Sequence, residues 1–158
     1  MRKPFAGLLV LGLVALLPGI VSAQEPASPE ASARRTLEAW VAMWNRYDLT
    51  QVDELFVADS SVTYFSSERE GLIRGIDSLR RHHAGFGFVP GGKTQPNRLR
   101  LEEMHITEEG EVVIATAVWY FVRGGEGGVT QRGPVSFVLV PRGGRHRIVH
   151  AQFGNYAR

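Results

Sequence analysis

No cysteine occurs among the 158 residues. Without a thiol the chain can form no disulfide, no thiolate nucleophile, no cysteine-based zinc site and no acylated lipoprotein N-terminus. Other signatures are absent as well. There is no Gly-x-Ser-x-Gly elbow, which argues against a serine hydrolase of that type. Residues 124–128 are rich in glycine, yet neither a helix pattern nor a Lys-Ser/Thr pair follows, so they read as a flexible hairpin and not as a phosphate loop. His82 and His83 are adjacent; on a helix they point about 100° apart and cannot form the i, i+4 pair of a helical metal site. No metal and no cofactor is inferred.

Charge of one sign is also scarce. Arg2 and Lys3 precede an apolar run over residues 5–17, then Pro18-Gly19, then Val21-Ser22-Ala23, the pattern of a secretory signal peptide cut after Ala23. The rival reading is an uncleaved anchor, because residues 5–23 carry no charge and approach the roughly 20 residues of a spanning helix. Pro18-Gly19 and the small residues at the end favour cleavage. The expectation is therefore a periplasmic or secreted protein with no stable membrane span once the leader is removed. The leader holds two of the 18 Lys and Arg and none of the 16 Asp and Glu, leaving 16 against 16. A neutral domain without a basic stripe interleaved with aromatics excludes nucleic acid as a partner. Subtracting 23 from 158 leaves 135 residues: a flexible lead-in at 24–30 and one domain at 31–158, large enough to bury a core without staples.

Within that domain, Ser28-Pro29-Glu30 reads as an N-cap with proline in the first turn, opening a helix to about Tyr47. Leu37, Trp40, Val41 and Trp44 share its apolar stripe. Thr50 with Asp53 three residues on resembles a capping arrangement for a short second helix that buries Val52, Leu55 and Phe56. Asp48 and Asp59 read as capping residues at its two ends. Short strands at 61–66 and 72–74 precede a third helix entered at Gly75, with Ile76, Leu79 and His83 inward. Residues 85–96 form a glycine- and proline-rich loop carrying Phe86, Phe88 and Val89, apolar residues that suggest it folds over something. Strands at 98–107, 112–123, 129–140 and 145–153 are joined by short glycine-rich links, an antiparallel meander.

This order predicts an α+β fold: a cone in which N-terminal helices pack in the concave face of a strongly bent mixed or antiparallel sheet. Strand 112–123 is apolar on both faces, with Thr116 its polar member. A sheet covered on one side has no need of that, so the convex face is expected to meet a second copy in a homodimer.

Tyr47-Asp48 followed by Leu55-Phe56-Val57-Ala58-Asp59, the Gly75-Ile76-Asp77-Ser78-Leu79 helix entry, and the closing Arg147-Ile148-Val149-His150-Ala151 strand resemble the nuclear transport factor 2-like superfamily and, within it, the SnoaL-like group. The resemblance spans about residues 33–153. It implies a conical cavity between the first helix and the curved sheet, used by some members for isomerisation, cyclisation or dehydration of lipophilic substrates. The ketosteroid isomerase branch carries a catalytic carboxylate where Tyr64 stands here, which argues against an aspartate base. The group often has Trp at the position of His146 and His at that of Gln152.

Strand alternation puts His146, Ile148, His150 and Gln152 on one face of the last strand, and the resemblance points that face inward. His150 then becomes a candidate acid-base group with Tyr64 and His83. Trp44, Trp119, Gln152 and Phe86 are candidate ligand contacts, aromatic rings offering flat area with few rotors. Three functional readings stay open: a binding module for a small lipophilic or aromatic ligand, a cofactor-independent isomerase, dehydratase or cyclase, and a dimeric assembly module with a filled cone.

Overall fold

In the computed structural model, which describes residues 27–124, 128 and 130–157, the first helix begins as its chemistry dictates. Ser28 Oγ accepts the backbone N–H of Ala31, Pro29 takes the first turn, and helix α1 runs Pro29–Arg46 until Tyr47 turns left-handed. Ala33, Thr36, Leu37, Trp40, Met43 and Trp44 form its buried stripe, with Val41 only half-buried at the margin. The expected leader, residues 1–23, lies outside the described residues.

Helix α2 (Gln51–Leu55) is short, and its entry differs from the Thr50 cap expected. Thr50 is itself helical and makes no cap bond. Asp48 Oδ1 instead accepts both the N–H and the hydroxyl of Thr50. At the far end Asp59 Oδ1 accepts the N–H and hydroxyl of Ser61, a short-range turn of the kind Asp favours. Strands β1 (Thr63–Phe65) and β2 (Leu72–Arg74) make a hairpin, and Gly75, at φ 79, turns the chain into α3 (Ile76–Gly85).

The meander follows as β3 (Arg98–Glu109), β4 (Val112–Val122), β5 (Thr130–Arg142) and β6 (Arg145–Phe153). The sheet order is β2-β1-β6-β5-β4-β3, antiparallel except where β1 runs parallel to β6. Two irregularities bend it. One lies in β3 between Glu102 and His105, where Glu103 takes φ 53. The other lies in β6, where Val138 pairs with His150 but the next residue, Leu139, pairs with Ile148, leaving Val149 as an extra residue. Bulges of this kind increase local twist and re-aim the residues that follow.

The core fills the concave face. Trp40 packs edge-on to Phe137 at 5.2 Å and stacked on Phe153 at 5.5 Å, contacts that add to the burial of two large rings. The loop after α3 is fastened to the end of α1: Val89 N–H donates to Tyr47 O, Leu49 N–H to Val89 O and Lys93 N–H to Arg46 O. Phe88 stacks on Tyr47 at 4.5 Å. A Cβ on Gly92 would lie 2.8 Å from Arg46 O, so this close approach depends on glycine. Among the described residues no helix is long and apolar enough to cross a membrane.

Candidate ligand site

Between the first helix and the sheet lies a cavity of about 40 Å³, room for about three or four waters at roughly 10–15 Å³ each. Helix α1 brings Trp40 and Trp44 to it, β1 Tyr64, β3 Leu99, β4 Trp119 and Phe121, β6 Phe153, and the pinned loop Phe86. Its rim is polar. Arg123 Nε donates to Gln131 Oε1 at 2.9 Å and Gln131 Nε2 to Glu68 Oε1 at 2.6 Å, with Arg123 Nη2 3.6 Å from Glu68 Oε2. The guanidinium lies over the Phe121 ring. This network joins the β1–β2 turn to the ends of β4 and β5 across the mouth.

Three indoles surround the cone, and only one is satisfied. Trp119 Nε1 donates to Gly154 O at 2.9 Å. That bond depends on Gly133, which pairs with Trp119 in the sheet: a Cβ there would stand 2.0 Å from Gly154 O. Trp40 Nε1 and Trp44 Nε1 are buried without a partner, and an unpaired buried donor costs about 1–3 kcal/mol.

Behind Trp44 and Tyr64 sits His83, fully buried, its ring 5.4 Å from that of Trp44 and 5.8 Å from that of Tyr64. Its Nδ1 lies 3.0 Å from Leu79 O. A carbonyl only accepts, so Nδ1 carries the proton and Nε2 is left as a buried acceptor without a partner. Burial pulls the His83 pKa down to about 4, opposed by the bond to Leu79 and reinforced by His82. The imidazole is neutral at physiological pH. Burial also pushes the Tyr64 phenol up, so Tyr64 remains a hydroxyl donor.

A model of the SnoaL-like domain matches residues 33–154. The chain belongs to the SnoaL-like family. No curated protein matches it. Solved structures share the fold at low identity. A nuclear transport factor 2-like superfamily protein from Salmonella enterica is 21% identical at a TM-score of 0.65, covering 83% of this chain and 95% of its own. A putative dehydratase of that family from Streptomyces avermitilis is 14% identical at 0.68, covering 83% and 100%. The association domain of C. elegans CaMKII is 19% identical at 0.62, covering 78% and 92%.

In this SnoaL-like chain the expected site residues separate into three groups. Tyr64, Trp44, Trp119 and Phe86 meet at the cavity. His83 stands one layer behind it. His150 and Gln152 do not face the cone at all, contrary to the alternation read from the sequence. The extra residue Val149 reverses the parity of β6, so His146 and Ile148 point inward before it, Ala151 and Phe153 point inward after it, and Gln152 is exposed. His150 instead pairs with Thr63, whose Oγ1 lies 2.8 Å from Nδ1, on the convex face. A joint acid-base role for His150 and Tyr64 inside the cone has no geometric basis. His146 is buried but occupied, its ring bonded to Glu111 O.

Sequence reasoning favoured a core role for Trp40 over a ligand contact, and it stands one turn from Trp44 and lines the same cavity. It missed the rim trio Glu68, Arg123 and Gln131, which no local spacing connects. Among the described residues no cluster of three or more His, Asp or Glu is placed to hold a metal ion.

Proposed function

We propose that this chain is an exported small-molecule binding protein whose cone takes a compact, flat, largely apolar ligand carrying a hydrogen-bond acceptor. The observation that carries this reading is the pair of unpartnered buried indole N–H groups, Trp40 and Trp44, in the wall of an aromatic cavity. An acceptor atom brought by a ligand repays that desolvation. At about 40 Å³ the resting cavity is smaller than a typical ligand site, so binding includes movement of the rim or of Phe86. Native mass spectrometry of the protein from its exported fraction tests this, with a copurifying small mass as the expected result. Trp44→Phe, which keeps a ring and removes the N–H, is expected to release that mass while His150→Ala retains it. A bare protein in every preparation refutes the reading.

The convex face supports a homodimer. Phe65 and Ile114 are 39% and 40% exposed there, beside half-buried Val118 and Val138. Exposed apolar groups gathered on one sheet face favour association. A dimer-sized species in sedimentation supports this, and a monomer at all concentrations refutes it.

A further inference from the structure

Five cations of the described residues contact a carboxylate: Arg80 binds Asp53 and Asp77, Arg34 binds Glu30, Arg100 binds Glu102, Arg123 lies beside Glu68, and Arg145 binds Glu54. A depression of about 260 Å³ between β2 and α3 is different. Arg69 from the β1–β2 turn, Arg74 from β2, and Ser78, Arg81 and His82 from α3 line it, with Leu72 and Ile73 as its apolar wall. No carboxylate lines it. None of Arg69, Arg74 and Arg81 is in salt-bridge contact with an acid among the described residues, although their neighbour Arg80 takes two. Arg81 Nη2 donates to Ser78 Oγ at 3.0 Å, which steadies that side chain. Glu68 and Glu70, flanking Arg69 in the chain, line a separate depression with Ser67, Gln131 and Asn155, which Arg69 also borders.

His82 borders the same depression. Its ring is held edge-on to Phe86 at 5.1 Å and tilted against Tyr64 at 5.5 Å, and its Nε2 is buried without a partner. Burial, and then the charge of Arg69, lower its pKa. The groups facing it are thus Arg69, Arg74, Arg81, His83 and Tyr64, none of them an acid.

Like charges gathered without counter-charge repel one another, and a guanidinium's planar fork matches an oxyanion in two parallel hydrogen bonds. We infer that the depression between β2 and α3 binds the phosphate group of a phosphate monoester, Arg69, Arg74 and Arg81 holding the oxygens and Leu72 bordering the esterified carbon chain. The site is separate from the cone, from which the His82, Phe86 and Tyr64 rings divide it. The same headgroup chemistry occurs on a soluble ester and on a membrane lipid.

Calorimetric titration with sn-glycerol 3-phosphate, with inorganic phosphate and with chloride, and flotation with phosphatidylcholine vesicles with and without phosphatidic acid, test the inference. The expected result is saturable binding of the phosphate probes over chloride, weakening as salt rises. The double variant Arg74→Gln/Arg81→Gln is expected to weaken it about tenfold or more, because charge-assisted hydrogen bonds are lost. Arg35→Gln, an exposed charge on α1, is expected to change nothing. Binding of glycerol phosphate supports a soluble ester, and flotation only with phosphatidic acid supports the lipid source. The inference is overturned if no phosphate probe binds above chloride, or if Arg35→Gln weakens binding as much as the double variant.

Discussion

Acid destabilisation centred on His83 follows directly from its burial. The group titrates near 6.5 when unfolded and near 4 in the fold, so between these values the unfolded chain binds the extra proton. Stability therefore rises with pH across that window: the neutral ring's contribution is present in full above about 6.5 and is lost as pH falls toward 4. At about 1.36 kcal/mol per pH unit, the gap between 6.5 and about 4 corresponds to about 3 kcal/mol in total. At pH 5 about 2 kcal/mol of it is gone by the same linkage. For a domain of this size that lowers the melting temperature by about 6–10 °C. The assay is urea denaturation of wild type and His83→Phe at pH 8, 7, 6 and 5. Phenylalanine keeps a ring beside Trp44 and Phe88 and has no proton to gain, so its stability curve should be flatter by about 2 kcal/mol between pH 8 and 5. Parallel curves for the two proteins would refute the neutral, proton-excluding His83.

Other outcomes follow from the same geometry. Gly133→Ala is expected to cost about 2 kcal/mol or more, because its methyl would collide with Gly154 O; a red-shifted tryptophan emission would report release of Trp119. His150→Ala should leave any cone ligand bound while weakening self-association, seen as a rise in the dimer dissociation constant by sedimentation; an unchanged dimer with lost ligand would reverse the assignment of faces. Glu68→Gln removes the rim's carboxylate, 3.6 Å from Arg123, and should alter stability by under about 1 kcal/mol while speeding ligand exchange, measured by fluorescence stopped flow. Phe137→Ala, in the fully buried contact with Trp40, should cost about 3–5 kcal/mol by chemical denaturation.

Much of the architecture was legible because its causes are local. Ser28 and Pro29 start a helix by filling orphan N–H positions, whatever the rest of the chain does. Apolar spacing along α1 put Leu37, Trp40 and Trp44 on one stripe, as found, and alternation along β4 grouped Val113, Ala115, Ala117, Trp119 and Phe121 on one face, which the structure turns inward. The short glycine links left the meander little choice but antiparallel pairing. The Thr50 cap failed because Thr50 is itself helical and its hydroxyl donates to Asp48 Oδ1 and caps no N–H of the helix.

The site was less legible because its parts are distant in the chain. Glu68, Arg123 and Gln131 meet across three segments, and Gly133 matters only because the C-terminal turn at Gly154 crosses it. By itself the sequence determined the elements, their order, the inward stripe of α1 and hence the cone, since side-chain period and turn chemistry act within a few residues. Tertiary structure alone decided which face His150 presents. One extra residue at Val149, placed by pairing with β5, inverts the alternation of β6 and moves His150 and Gln152 from the cone to the outer surface, because in a strand of period two a shift of one residue exchanges the faces.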